Sequence, residues 1–278
     1  MGGALLVVAL ALAIGPAAPI HAQATADGET VGTLRLVVWN IRHGRGTDDE
    51  VDLDRIAEVL RALDADVIAL QEVDDRTERT GGVDQVSVLA EALRYEGFHG
   101  PHRPYQGGFY GNALLTRLPV LTQQTHAIPP ASGSALAVHE LVVALPPANG
   151  DRSVRGLPVS VFSVHLAGSP DERMAQAHAR DTLARVSPWR PTVLAGDFNG
   201  RPDDGVVRWL TERWTVAEKS GDPRTYPAGE PDREIDFVAW RVDARLIDVT
   251  PRLIEHRVVA ESVASDHRPL LTVFDFRR

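Results

Sequence analysis

Short apolar runs, each with a polar residue at or just after its end, are the feature of this sequence that most constrains its fold. Apolar runs of about four to eight residues are typical of buried β-strands. The polar residues at these run ends are Asn40, Glu72, His165, Asp197 with Asn199, Asp236, and Asp266 with His267. Because side chains at the ends of neighbouring strands can meet at one edge of a sheet, the pattern predicts a polar site on a strand-rich fold.

Strand patterns outnumber helix patterns along the chain. The predicted strands cover residues 34–39, 67–70, 113–116, 120–127, 136–145, 159–164, 192–195, 235–240 and 270–274. Residues 52–63 and 86–93 carry apolar side chains at helical spacing. Ser169-Pro170-Asp171-Glu172 predicts the start of a third helix, with Ser169 and Glu172 as a capping box. Crossovers and hairpins together predict an α+β or mixed sandwich with its helices outside.

Composition narrows the function classes. The 278 residues, 44% hydrophobic and 24% charged, are ordinary for a soluble globular protein of one large domain or two small ones. The net charge of −9 provides no general attraction to nucleic acid, although a local basic cleft stays open. The absence of cysteine excludes disulfides, thiol catalysis and thiolate metal sites.

The N-terminal segment resembles a secretory signal. The apolar run 5–14 is too short for an ordinary membrane span, and Ala22-Gln23-Ala24 is typical of a cleavage site. Since no Lys or Arg precedes the run, an uncleaved anchor is the alternative. We therefore predict a signal peptide at residues 1–24, a secreted or periplasmic protein, and a single catalytic domain at residues 33–277. The sequence shows no internal repeat.

Taken in order, the motifs resemble the endonuclease/exonuclease/phosphatase superfamily of metal-dependent phosphohydrolases. The two strongest short signals are Gly196-Asp197-Phe198-Asn199 and Ser265-Asp266-His267-Arg268-Pro269. Loops 76–85, 105–110 and 225–233 resemble the exported bacterial members rather than the DNA-repair or RNA-deadenylating branches. The resemblance spans about residues 34–274. It implies a four-layered α/β/β/α sandwich, in which two packed mixed β-sheets are flanked by helices and carry the site at one edge.

The resemblance also implies a metal site. Glu72 is expected to be the principal ligand of Mg²⁺, with Mn²⁺ as a possible substitute, because hard cations prefer carboxylate oxygens. Asn40 is expected to be a neutral ligand or orienting residue, and Asp266 to lean toward the metal. Whether the site holds one ion or two is left open.

Catalytic roles follow from the same resemblance. Asp197 is expected to handle the attacking water or a metal, and Asn199 to hydrogen-bond a phosphoryl oxygen. Asp236 is expected to orient and charge His267, which contacts the scissile phosphate or the water. A carboxylate partner raises the pKa of an imidazole, which suits acid or clamp chemistry near neutral pH. His165 is expected to contact the phosphate and protonate the leaving oxygen.

Other residues near these motifs have supporting or open roles. Asn112 is expected to pack beside the site, and Arg42, His43 and Arg45 could line the same rim. Arg173 matches a recurring arginine of the superfamily, but a surface salt bridge is the competing interpretation.

These expectations combine into a function. We expect an exported Mg²⁺-dependent phosphohydrolase that cleaves a phosphodiester or phosphomonoester by in-line attack of water. The partner would be a phosphate-ester substrate, whether a small molecule, a lipid head group or nucleic acid, and the protein is expected to act as a monomer. Two alternatives stay open: a nuclease that uses the same residues on DNA or RNA, and a catalytically inactive binding module on this fold.

Overall fold

The computed structural model describes residues 28–128, 136–151, 155–166, 169–184 and 189–278. The predicted signal peptide, residues 1–24, lies outside the described residues. Within these ranges the strands are β1 (Thr30–Asn40), β2 (Val67–Asp75), β3 (Glu96–Tyr105), β4 (Gly108–Thr116), β5 (Val120–Ile128), β6 (Leu136–Leu145), β7 (Leu157–His165), β8 (Thr192–Asp197), β9 (Thr215–Val216), β10 (Asp236–Arg241), β11 (Thr250–Val258) and β12 (Leu270–Arg277). The helices are α1 (Leu53–Leu63), α2 (Gln85–Leu93), α3 (Pro170–Ala184) and α4 (Gly205–Thr211), with short 3₁₀ helices at Arg42–Gly44 and Glu78–Thr80.

The strands form two six-stranded sheets. The first has the order β11-β12-β1-β2-β4-β3 and the second β5-β6-β7-β8-β10-β9. In each sheet one central pair is parallel, β1 with β2 and β7 with β8, and every other neighbouring pair is antiparallel. The succession of pairings across the two sheets is therefore the same.

Alternation along the strands divides the apolar side chains among three cores. In β1, Leu36 and Val38 face the second sheet and pack with residues such as Val161. Their neighbours Val37 and Trp39 face the opposite way, toward α1 and α2. Helices α3 and α4 cover the outer face of the second sheet through a third buried cluster. Helix, sheet, sheet and helix layers are thus stacked in that order, which confirms the predicted α/β/β/α sandwich.

The helix starts follow their capping residues. Helix α1 begins at Leu53 because Asp52 is its N-cap, with a side chain that accepts a hydrogen bond from the Arg55 amide at 2.9 Å. The capping box predicted for α3 is confirmed, since Glu172 accepts from the Ser169 amide at 2.7 Å. No helix in the described ranges is long and apolar enough to cross a membrane.

The edges of the first sheet differ from the sequence prediction. Strand β3 contains Gly97, Pro101 and Pro104, which mask its strand character, and proline is tolerated there because β3 is an edge strand. The opposite edge strand, β11, was also not predicted. Strand β1 begins at Thr30, before the predicted domain boundary at residue 33, because its first residues pair with the end of β12.

Candidate active site

The two parallel strand pairs bring four polar residues to one edge of the sandwich. In the first sheet Asn40 is in register with Gln71, the residue before Glu72. In the second sheet His165 is in register with Asp197. Because both pairs end at the seam between the sheets, an amide and a carboxylate from one sheet meet an imidazole and a carboxylate from the other.

Glu72 is aimed by an irregularity of β2. The register of β2 against β4 shifts between Leu70 and Val73, as in a β-bulge, and such an irregularity redirects side chains at a strand end. The φ angle of Glu72 is 57°, a left-handed conformation that costs on the order of 1–3 kcal/mol for a residue other than glycine. The fold therefore holds this carboxylate in a strained position, which is typical of functional sites.

Asn40 joins the carboxylates of the two sheets. Its amide Nδ2 donates to Glu72 Oε1 at 3.1 Å and to Asp197 Oδ2 at 3.1 Å. Its Oδ1 accepts a hydrogen bond from the Arg42 backbone amide. The structure thus gives Asn40 an orienting position, while its role as a metal ligand stays a prediction.

Asp197 is fixed by the residues around it. The preceding Gly196 lies so close to β7 that a Cβ atom would be 1.8 Å from the Val164 carbonyl oxygen, so only glycine fits there. The backbone amide of Asn199 donates to Asp197 Oδ1 at 2.8 Å, and its side-chain Nδ2 donates to the Leu166 carbonyl at 2.6 Å. Asn199 accordingly positions Asp197, and its predicted contact with a phosphoryl oxygen stays a prediction.

His267 and Asp236 form a buried pair. His267 Nδ1 lies 3.0 Å from Asp236 Oδ2, the pairing that the resemblance implied. The Thr225 hydroxyl donates to the same Asp236 oxygen. Trp39 Nε1 donates to the His267 carbonyl at 2.8 Å, which ties this segment to β1. The segment lies just before β12, which begins at Leu270 as the sequence predicts, and its residues turn to present their side chains to the site.

Both imidazoles lie close to Asp197. His165 Nε2 is 3.7 Å and His267 Nε2 is 3.8 Å from Asp197 Oδ2. The other ring nitrogen of His165, Nδ1, lies 3.4 Å from the Tyr110 hydroxyl. One buried carboxylate oxygen is therefore shared by both imidazoles and by Asn40.

Burial and neighbouring charges shift the pKa values of His267 and Asp197. Burial alone would lower the pKa of His267, but the carboxylate of Asp236, together with that of Asp197, raises it to about 10. Burial, together with the nearby charge of Asp236, raises the pKa of Asp197 to about 6. Near neutral pH His267 is thus a cation and Asp197 an anion.

Glu72, Asp266 and Asn40 have the donor chemistry that suits a divalent cation. Burial raises the pKa of Asp266, and although His267 opposes this, the nearby charge of Glu72 raises it as well. No Lys or Arg in the described part of the chain forms an ion pair with Glu72. A hard cation would offset the negative charge of these two carboxylates, so the residues fit Mg²⁺.

A second group of possible ligands overlaps the proton-handling residues. Ligand atoms of Asp197, Asp236 and His267 all lie within 4.8 Å of one another. However, one oxygen of Asp236 already accepts from His267 and Thr225. This engaged oxygen and the cationic His267 make the group less suited to a cation than the Glu72 side.

The remaining predicted residues have structural contacts. The Asn112 amide donates to the Ser163 carbonyl at 3.1 Å and supports the floor of the site. Arg42 Nε lies 3.6 Å from Asp266, and Arg45 pairs with an aspartate away from the cluster, Asp49, at 3.2 Å. Arg173 lies 4.0 Å from an aspartate before α4, as the salt-bridge interpretation expected.

His43 lies beside the site as a neutral base. It is buried, and burial together with Arg79 lowers its pKa to about 4.

Sequence reasoning missed three side chains of the site. Thr225 holds Asp236, Tyr110 contacts His165, and the Tyr226 ring lies 4.8 Å from the His267 ring. All three belong to segments whose resemblance to exported bacterial proteins was noted, but no spacing rule assigned them a role.

Comparisons with known proteins point to one family. The model of the endonuclease/exonuclease/phosphatase family matches residues 37–267. The Escherichia coli K12 protein YbhP, itself uncharacterised, is 25% identical over 206 residues, covering 67% of this chain and 76% of YbhP.

Solved structures share the fold. An endonuclease/exonuclease/phosphatase from Beutenbergia cavernae superposes with a TM-score of 0.68 at 24% identity, covering 88% of this chain and 72% of that one. The human Nocturnin catalytic domain with a bound sulfate anion has a TM-score of 0.64 at 18% identity, covering 90% and 97%. At these identities the likeness concerns the fold alone.

Proposed function

The chain belongs to the endonuclease/exonuclease/phosphatase family, and from that premise we propose that it is an exported Mg²⁺-dependent hydrolase of phosphoric esters. It would cleave a phosphodiester or phosphomonoester by in-line attack of water, acting as a monomer. The observation that carries the proposal is the convergence on Asp197 Oδ2 of two imidazoles and the Asn40 amide, which also contacts Glu72.

Glu72 and Asp266, with Asn40 beside them, would hold the metal. When bound, Mg²⁺ supplies a Lewis acid that polarises a phosphoryl oxygen and offsets charge in the transition state.

The protein's own groups account for the movement of protons. Above a pH of about 6 the carboxylate of Asp197 is ionised and accepts a proton from the attacking water. The His267 imidazolium, held by Asp236, donates a hydrogen bond to a phosphoryl oxygen. His165, whose Nε2 lies 3.7 Å from Asp197 Oδ2, is placed to protonate the leaving oxygen as the phosphorus–oxygen bond breaks.

Aromatic side chains on both sides of the site support a diester substrate. Tyr110 lies beside His165, and Tyr226 lies beside His267. A phosphodiester carries an organic group on each side of phosphorus, so both tyrosines would have a group to contact.

A substrate screen tests the proposal. The purified domain, residues 25–278, would be incubated with bis(p-nitrophenyl) phosphate, p-nitrophenyl phosphate, plasmid DNA, RNA and phospholipid vesicles. We expect hydrolysis of the diester probe in Mg²⁺ and none in EDTA, and the natural polymers distinguish a nuclease from a small-molecule or lipid enzyme. No hydrolysis of any substrate would favour the inactive binding module.

The pH dependence of kcat/KM follows from the two shifted groups. The mechanism needs Asp197 ionised and His267 protonated, so these two groups by themselves make kcat/KM rise with pH through about 6 and fall through about 10. The measurement is a kcat/KM profile with bis(p-nitrophenyl) phosphate at constant ionic strength. A profile without an acid limb would show that Asp197 is not the base.

Export is tested by the processing of the N-terminus. If residues 5–14 are a signal core, protein recovered from the medium or periplasm should begin near Thr25. N-terminal sequencing of the recovered protein decides this. Intact protein in the membrane fraction would indicate an anchor, and intact protein in the cytosol would contradict export.

A further inference from the structure

A group of arginine and tyrosine side chains adjoins the His165 side of the site. Arg79 and Arg103 lie over the Tyr105 ring, with guanidinium carbons 4.7 and 5.1 Å from its centroid. Both also lie over the Tyr110 ring, at 5.6 and 5.5 Å. Since the Tyr110 hydroxyl contacts His165, this arginine–tyrosine cluster is one aromatic ring away from the catalytic groups.

The two arginines differ in how their charge is compensated. Arg79 forms a two-point salt bridge with Asp74, through Nε and Nη2 at 2.7 Å each, and the Asp74 side chain is fully buried. The hydroxyl of Thr77 donates to the same carboxylate at 2.6 Å. The charge of Arg79 is therefore neutralised, and its guanidinium is a rigid support for the tyrosine rings.

Arg103 carries a charge without such a partner. It is exposed on the edge strand β3, and no carboxylate within the described ranges forms an ion pair with it. Its contacts with Tyr105 and Tyr110 are cation–π interactions, which hold the guanidinium in place without removing its charge. In a protein with a net charge of −9, a held and uncompensated cation beside the site indicates an anionic ligand.

We propose that Arg103, supported by Tyr105, Tyr110 and Arg79, binds a second phosphate group of the substrate, next to the scissile one. This inference rests on the proposed function for its reaction, but it concerns binding. A guanidinium matches phosphate in shape and donates to two of its oxygens at once. The substrate class is therefore an ester with two phosphates, whether on a nucleotide or on an inositol head group.

The test measures binding, so that it does not depend on turnover. Two matched probe pairs are titrated by calorimetry: thymidine 5′-monophosphate with thymidine 3′,5′-bisphosphate, and inositol 1-phosphate with inositol 1,4-bisphosphate. We expect the wild-type domain to bind one bisphosphate about tenfold more tightly than its monophosphate partner, the usual worth of a charge-assisted hydrogen bond. The pair that shows the preference identifies whether the substrate is a nucleotide or an inositol phosphate.

Substitution of Arg103 tests whether the preference for the bisphosphate depends on this residue. Arg103→Ala should bring the two affinities of that pair together, whereas Arg252→Ala, an exposed arginine on the opposite edge strand β11, should retain the difference. Equal affinities within both pairs for the wild type, or a preference that survives Arg103→Ala, would overturn the proposal. A preference lost with Arg103 in a protein that hydrolyses no ester would refute the proposed function and leave this site standing.

Discussion

Replacement of Glu72 by glutamine is expected to lower kcat/KM for phosphoester hydrolysis by roughly 10³-fold or more, because several kcal/mol of charge stabilisation are lost with the ion. Glutamine keeps the length of the side chain and an oxygen that can accept from the Asn40 amide, so the fold should be retained. Steady-state kinetics with bis(p-nitrophenyl) phosphate in Mg²⁺ measures the effect.

Two further measurements distinguish the loss of metal binding from a general loss of activity. Calorimetry should show Mg²⁺ binding to the wild-type domain and not to Glu72→Gln. Glu58→Gln, an exposed glutamate on α1, is the matched control and should behave as wild type. Full activity of the wild type in EDTA, or of Glu72→Gln in Mg²⁺, would contradict the assignment.

His267→Ala is expected to reduce kcat by about 10²–10³-fold, the usual cost of removing a hydrogen-bond donor that stabilises charge in the transition state. Asp236→Asn should be nearly as damaging, because the imidazole loses the carboxylate that keeps it protonated, whose Oδ2 lies 3.0 Å from His267 Nδ1. The double variant should be little worse than His267→Ala alone, since residues that act as a unit are not additive. Additive losses would mean that Asp236 does not act through His267.

A titration distinguishes this coupling from a structural role. Removal of the Asp236 charge should lower the pKa of His267 from about 10, so the alkaline limb of kcat/KM should move to lower pH in Asp236→Asn. His178→Ala, which removes an exposed imidazole that contacts Trp209, is the control for histidine loss. An unchanged alkaline limb in Asp236→Asn would show that the pair is not electrostatically coupled.

The sequence predicts the centre of this fold better than its edges. Central strands such as β1 and β8 are buried on both faces, so they read as continuous apolar runs. Strand β3 lies at an edge, where one side needs no hydrogen-bond partner, and its prolines and glycines obscure its strand pattern.

The residues of the site also differ in how well the sequence predicts them. Residues at the ends of apolar runs, such as Asn40 and Asp197, can be found because the run fixes where the strand ends. Thr225 and Tyr226 reach the site from a long loop, and their partners Asp236 and His267 lie 11 and 41 positions further along the chain. No local spacing encodes such contacts, so only the folded structure shows them.

The two sheets have the same order of parallel and antiparallel strand pairs, and each sheet contributes residues to the site from equivalent positions. Strands β1 and β7 occupy the same place in their sheets and end in Asn40 and His165, while the ends of β2 and β8 bring Glu72 and Asp197. Under the proposed function Glu72 of one half would hold the cation, Asp197 and His165 of the other would move protons, and neither half would be complete alone. The apolar layer between the halves sets the spacing of the reactive groups, so a substitution there that let one half slide on the other would impair turnover before it unfolded the protein.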